Sequence, residues 1–307
     1  MGSIMIDNDR AGILWALAGF IGLSCGDAII KTMAGAWPPT AVAALRYTIG
    51  AVGLGVWVYA HEGFAGLRFP RPGVQLMRGF GVALATLCFF SAVFVMPLAV
   101  ATAIVFVSPM ITAILAIFIL GEHSRRETWM ATVAGFLGVL IVLRPDPANF
   151  DWNALLPLGA AVGMSLLVIG NRMAARLASA ASMQFTLAVI AAAMLLAAAF
   201  IGDAWGRAGG AGGLTIAMPT WDVVARCAFV AVTATLSHLM VYLGTTRAGA
   251  ATIAPMTYVQ IIVASALGVV LFGNVPDLWT LAGAAIIIAA GLYLWRSNSA
   301  YARAVAI

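Results

Sequence analysis

Charge is what this chain of 307 residues has least of: Asp, Glu, Lys and Arg together make up 9%. A soluble domain carries ~25%. Lysine occurs once, and Lys31 follows Ile30, so the chain holds no phosphate-binding loop of the Gly-Lys kind. The three histidines, His61, His123 and His238, are scattered and form no His-Glu-x-x-His zinc site. The one Gly-x-Ser-x-Gly match, Gly22-Leu23-Ser24-Cys25-Gly26, lies within a continuous apolar run and not at the strand-to-helix turn that a nucleophile elbow needs, and Ser237 and His238, adjacent on one helix, point apart. The three cysteines, Cys25, Cys88 and Cys227, are far apart and odd in number, and read as small packing residues. These absences argue against an ATP-driven pump within the chain and against an intramembrane hydrolase. The chain is read as no enzyme, with no cofactor and no metal.

Apolar residues fill the space that charge leaves. They make up 63% of the chain, against ~45–50% in soluble domains. No soluble core of this size hides that much apolar surface, so the solvent is lipid. From Gly79 to Gly121 there is no charge in 43 residues, enough for two spans of ~20 residues and a turn. The runs are continuous rather than alternating, which excludes a β-barrel. Ten spans are expected, near 11–33, 39–60, 74–96, 99–121, 128–143, 153–171, 179–201, 223–244, 249–272 and 278–295.

The spans repeat. Ala85-Thr86-Leu87, a break at Met96-Pro97-Leu98, Ala99-Val100-Ala101-Thr102, a helix ending Leu120-Gly121-Glu122 and then Trp129 form the first copy. Ala234-Thr235-Leu236, a break at Thr245-Thr246-Arg247, Ala248-Gly249-Ala250-Ala251, a helix ending Leu271-Phe272-Gly273 and then Trp279 form the second. The offset is 149 residues at the start and 150 at the tryptophans, too long for a solenoid and right for two similar halves, 1–148 and 149–307.

Counting Lys and Arg by side gives the orientation. With the N-terminus inside, eleven fall on the cytoplasmic side and five, namely Lys31, Arg46, Arg144, Arg207 and Arg226, on the outer half. Both termini are therefore expected in the cytoplasm. Five spans per half is odd, so the second half enters the membrane inverted. The formal charge of +5 is spread over loops and reads as this bias, not as a nucleic-acid surface. The glycine-rich stretch 202–220 reads as an outer loop. Gly22-x-x-x-Gly26 and Gly159-x-x-x-Gly163 let helix backbones approach.

Ionisable groups inside spans are the first functional candidates, because lipid makes them costly. Asp27 lies ~22–25 Å from the inner end of span 1, and Arg46 ~9 Å below the outer end of span 2. The depths match, so a structural charge pair between Asp27 and Arg46 is expected, with Lys31 one turn from Asp27 as a competitor. The other reading of Asp27 is a carboxylate that takes up a proton or touches substrate, which makes protons a candidate coupling ion. His238 and Tyr242 share a face of span 8. Ser108-Pro109 on span 4 and Thr257-Tyr258 after Pro255 on span 9 reach the midplane, where prolines free backbone carbonyls. Phe89, Phe90 and Phe94 offer an aromatic wall or a lipid-facing stripe. Ile287 on span 10 is expected to face lipid.

Ten spans in two halves, with Trp15, Lys31, Pro38-Pro39, Arg46, Pro109, Leu120-Gly121-Glu122, Pro255 and Gly273-Asn274, resemble the EamA-type carriers of the drug/metabolite transporter superfamily. The second half departs from the pattern with Asn274 where the family carries an acid. The resemblance implies an exporter of metabolites or amino acids in the inner membrane of a bacterium, with YddG-type aromatic amino acid exporters among the family's members. It also implies a central cavity between spans 1, 3, 4, 6, 8 and 9, with spans 5 and 10 outside it. The expectation is therefore an all-α integral membrane protein of ten transmembrane helices in two inverted five-helix repeats. It would carry amino acids or related small, partly apolar metabolites by alternating access, along a pathway including Asp27, Phe90, Ser108, His238, Tyr242 and Tyr258. The alternatives are a phosphorylated-metabolite or sugar carrier of the same superfamily, an intramembrane enzyme, and a channel.

Overall fold

The computed structural model describes residues 2–121, 126–144, 151–174, 177–209, 215–248 and 253–305. Glu122, His123, residues 210–214 of the glycine-rich stretch and 249–251, all named above, lie outside the described residues, as do Arg125 and Arg176 of the eleven cytoplasmic cations. The helices are α1 (Gly2–Lys31), α2 (Pro39–Gly66), α3 (Pro72–Val95), α4 (Leu98–Val105), α5 (Ser108–Leu120) and α6 (Arg126–Leu143). Then come α7 (Leu156–Met173), α8 (Ala180–Arg207), α9 (Trp221–Ala248), α10 (Val259–Phe272) and α11 (Leu278–Val305). A 3-10 turn, Trp152–Leu155, leads into α7, and another, Ala254–Tyr258, leads into α10. Among the described residues there is no strand. Among the described residues nine stretches are long and apolar enough to cross a membrane, α4 and α5 together making one, and Met256–Phe272 adds a shorter apolar helix. The protein is thus a multi-span, all-helical membrane protein.

Local sequence sets the ends. Pro38 is extended and Pro39 opens α2, where its missing N–H would have no partner anyway. Two glycines stop helices in the left-handed conformation: Gly121 after α5 with φ +68°, and Gly273 after α10 with φ +66°. Asn274 N–H then returns to Gly268 O at 3.0 Å. These are the two stops that the repeat pattern places in corresponding positions. Asp277 caps α11, its carboxylate accepting from the N–H of Thr280 at 2.9 Å. Arg144, just after α6, pairs with the same carboxylate. The Thr280 hydrogen bonds first, and Arg144 after them, hold the Asp277 carboxyl below its usual range.

The chain forms two compact units. The first holds Met1–Ala28, Met96–Ala154 and Thr233–Ile307; the second holds Ile29–Val95 and Leu155–Val232. Each unit draws on residues from both sides of position 148.

In the second unit α3 packs along α7, and α2 along α8. Small residues permit this, as membrane helices require without a hydrophobic force between them. A methyl on Gly81 would lie 2.8 Å from Gly163 O, and one on Gly163 2.5 Å from Ala85 N. In the first unit α6 packs along α11 and α4 against α10. A methyl on Gly19 would lie 2.6 Å from Ser237 O, so α1 and α9 also touch backbone to backbone.

At the α6–α11 crossing a methyl on Gly138 would lie 2.8 Å from Ile287 Cγ1 and 2.9 Å from Gly283 O. Ile287 is fully buried there. The lipid-facing expectation for Ile287 is therefore corrected. Helix α11 is apolar on several faces, and the partner helix, not the pattern, selects which face is covered.

Candidate functional site

In the first unit the polar groups gather where helices break. Helix α4 ends at Val105, and Val107 N–H bonds back three residues to Ile104 O at 3.0 Å, a tightened turn. Helix α5 restarts at Ser108, and Pro109 offers no N–H to the carbonyl of Val105. The second irregular stretch is the 3-10 turn Ala254–Tyr258, which leads into α10 and contains Pro255. Helix α4 packs against α10, and the two irregular stretches are joined by rings: Phe106 and Tyr258 lie 5.3 Å apart at a 42° tilt.

Around them, Gln260 Nε2 donates to Thr257 Oγ1 at 3.1 Å, and Ser24 Oγ donates to Gln260 O at 3.2 Å. The Tyr258 hydroxyl lies against Gly291 of α11, at a point that a side chain there would occupy. Thr102 Oγ1 and Trp295 Nε1 are buried without a hydrogen-bond partner among the described residues. Ser108 and Tyr258, both half-buried, are thus placed at the two irregular stretches of one unit.

His238 and Tyr242 also belong to the first unit. Both lie on an exposed face of α9, and His238 Nδ1 sits 2.7 Å from Ala234 O. Their neighbour Ser237 is buried on the face that meets α1. Asp27 is half-buried near the end of α1 in this unit, whereas Arg46 belongs to the second. The charge pair expected between them stands as a proposal.

In the second unit Arg46 of α2 has its guanidinium carbon 4.5 Å from the centre of the Tyr47 ring and 5.5 Å from that of Phe90. Phe90 is 3% exposed, so it is a packed wall of this cluster rather than a lipid-facing ring. Thr86 Oγ1 donates to the Tyr47 hydroxyl at 3.1 Å. Arg46 Nε is buried and has no hydrogen-bond partner among the described residues. Lys31 Nζ donates to Val93 O at 3.0 Å, at the end of α3.

Sequence reasoning missed one arginine. Arg78, counted among the cytoplasmic loop cations, is 4% exposed within α3. Its Nε donates to Asn171 Oδ1 at 2.7 Å, and one terminal nitrogen donates to Gln75 Oε1 at 2.5 Å and to Met183 O at 3.1 Å. Thr186 Oγ1 also donates to Gln75 Oε1, at 3.2 Å. Gln75 and Asn171, amides within apolar helices, were the available signal, because buried amides in lipid need partners.

Comparison with known proteins fits a carrier. Residues 10–144 match the EamA-like transporter family. The match spans 135 residues, a little under half of the chain. An S-adenosylmethionine uptake transporter of Rickettsia bellii is 28% identical over 92% of this chain and 92% of its own. A riboflavin transporter of Rhizobium johnstonii is 25% identical over 96% and 95%. A pseudopaline exporter of Pseudomonas aeruginosa is 27% identical over 96% and 99%. A protein of known crystal structure, 19% identical, superposes over 93% of this chain and 96% of its own with a TM-score of 0.58, which shows a shared fold. The relatives differ in cargo and direction and agree on one property. The likeness supports a membrane transporter of small metabolites.

Proposed function

We propose that this protein is an EamA-type carrier that moves amino acids or closely related, partly apolar metabolites across the bacterial inner membrane by alternating access. The observation that carries the reading is the ring contact between Phe106, where α4 gives way to α5, and Tyr258, at the end of the 3-10 turn that leads into α10. Irregular backbone at membrane depth is tolerated where it lines a cavity or is buried in protein, and transporters place substrate there. The Ser108, Thr257 and Tyr258 hydroxyls supply polar contacts beside an aromatic surface, which suits a small ligand with one polar and one apolar end. His238 and Tyr242 on α9, with Asp27 on α1, complete the proposed pathway.

The two sequence halves, 1–148 and 149–307, are proposed as inverted repeats with both termini cytoplasmic. Helix pairing supports the repeat. Exchanging each span with the one five places along maps α2 with α8, α6 with α11, and α4 with α10 onto themselves. The eleven-to-five basic bias supports the orientation. A fusion reporter after Arg126 should read cytoplasm; an external signal there would reverse the orientation.

Export is the direction that the family resemblance implies. A second reading, favoured by the Rickettsia bellii relative, is uptake of an amino acid that bears a nucleoside, such as S-adenosylmethionine. Proteoliposomes separate these readings. Initial rates are measured for a panel of amino acids, S-adenosylmethionine, riboflavin and sugar phosphates, with and without a pH gradient. Saturable transport of amino acids is expected. Ser108→Trp, which fills the break between α4 and α5, should abolish transport and leave folded protein in the membrane. Normal transport by Ser108→Trp would place the pathway on other helices, and a non-saturating flux would make the protein a channel.

A further inference from the structure

We infer that Arg46 is a carboxylate-binding group: its guanidinium, lying against the rings of Tyr47 and Phe90, takes the carboxylate of the metabolite that the protein carries. The inference rests on the proposed transport of an amino-acid-like cargo and assigns its anionic end to named side chains.

The argument starts from the cost of a permanent charge in a span. Lipid supplies no water to offset the charge of Arg46, so the fold or a ligand must compensate it. Two ring faces attract its cation. A guanidinium that stacks on rings has its flat faces satisfied, while its N–H donors lie in its own plane and need in-plane acceptors. One of these donors, Nε, is buried with no partner among the described residues. A carboxylate is the planar acceptor that matches such an edge with two parallel hydrogen bonds. The Tyr47 hydroxyl accepts from Thr86, which leaves its own hydrogen for a further acceptor beside the guanidinium.

The neighbouring cations limit the ligand's charge. Lys31 Nζ already donates to Val93 O. Arg226 is paired with Asp222 at 2.8 Å and donates to Thr32 O at 3.1 Å. A phosphate dianion would call for a second uncommitted cation, whereas a carboxylate needs one. The ring walls, with Phe90 buried, suit the apolar body of an amino acid better than a hydrated sugar phosphate.

The test uses the purified full chain in detergent and does not depend on transport. Thermal unfolding is followed with L-phenylalanine, L-leucine and 3-phenylpropionate, each against its own amide. The acids should raise the unfolding midpoint and the amides should not. Arg46→Gln should weaken apparent acid affinity by about 10- to 100-fold, the range for charge-assisted hydrogen bonds, and remove the preference for acid over amide. Phe90→Leu keeps the charge and loses one ring, so it should weaken both acids that carry a phenyl group while preserving acid preference. If Arg46→Gln fails to fold, the wild-type acid–amide comparison and Phe90→Leu still decide. Equal effects of acid and amide in the wild type, or acid preference that survives in Arg46→Gln, would overturn the inference. Acid preference that depends on Arg46, with no amino acid transported in proteoliposomes, would instead sink the proposed cargo alone.

Discussion

Two arginines in spans of the second unit are treated in opposite ways. Arg78 is surrounded by neutral oxygens, with Asn171, Gln75 and the carbonyl of Met183 taking its protons. Arg46 is surrounded by rings, and its Nε donates to nothing among the described residues. Both meet the same demand, that a cation in a span be compensated. Arg78 is closed by contacts from α7 and α8 and fastens three helices. Arg46 keeps donor capacity in reserve. The difference teaches that depth alone does not mark a functional charge; what matters is whether the fold has already used its hydrogen bonds.

The largest expected effect comes from opening the closed arginine. Arg78→Leu leaves Asn171 Oδ1 and the Met183 carbonyl short of a donor, and Gln75 with only the Thr186 hydroxyl. Lost bonds to a charged group cost ~1.5–3 kcal/mol each and do not add fully, so a loss of about 3 kcal/mol is expected. Thermal unfolding in detergent measures it. Transport per folded molecule should keep its KM. An altered KM at unchanged stability would break the comparison, because Arg78 would then act on substrate.

Next in size is the role of Asp27. If Asp27 and Arg46 form a structural pair, Asp27→Ala leaves an uncompensated cation; the ~3–5 kcal/mol of a fully buried pair is an upper bound, and because Asp27 is half-buried the loss should fall below that of Arg78→Leu. The double change Asp27→Asn with Arg46→Gln should then recover the stability that each single change loses. Stable single variants with raised KM would instead assign both residues to the transport cycle and leave Arg78 as the structural cation of the two.

Much of this architecture is legible in the sequence, and the exceptions have physical causes. The fourth span, expected over 99–121, is found as α4 and α5 over Leu98–Leu120, because a charge-free run between Pro97 and Gly121 has only one way to cross lipid. Pro109 and Pro255 mark both irregular stretches, since a missing N–H acts locally. Arg78 was misread because it stands one residue before the uncharged run, where a loop cation and a buried one look alike in one dimension. Ile287 was misread because helix faces are selected by partners, and Gly138 and Gly283 reveal themselves as partners only once α6 lies on α11. The interleaving of both halves in each unit is a property of long-range packing, which no local pattern carries.

A smaller effect is expected in the first unit, where compensation is by hydroxyls instead of charge. Tyr258→Phe keeps the ring contact with Phe106 and removes one neutral donor. Substrate affinity should fall by ~0.5–1.5 kcal/mol, seen as a raised KM with little change in kcat. A loss as large as that from Arg46→Gln would show that the two clusters do not differ in kind.

The smallest effect belongs to a charge outside the spans. Arg144 and Asp277 pair with side chains 50% and 44% exposed, where solvent screens the attraction. The Asp277 carboxyl is held below its ordinary value, first by Thr280 and then by Arg144. The sign follows from the depressed folded value: the contribution is present above the ordinary carboxylate range and is lost as pH falls through the folded pKa. Between about pH 5 and pH 3 the unfolding midpoint of the wild type should therefore fall further than that of Asp277→Asn, which has no carboxylate to protonate. Arg144→Ala should keep most of the wild-type slope, because the larger cause, the Thr280 cap, survives. High salt should remove the remaining difference between Arg144→Ala and wild type, since a Debye length of ~3 Å at about 1 M screens an exposed pair. Equal acid slopes for wild type and Asp277→Asn would mean that Asp277 is as well solvated in the folded chain as in the unfolded one. The exposed arginine would then contribute nothing, in contrast to the two within the spans.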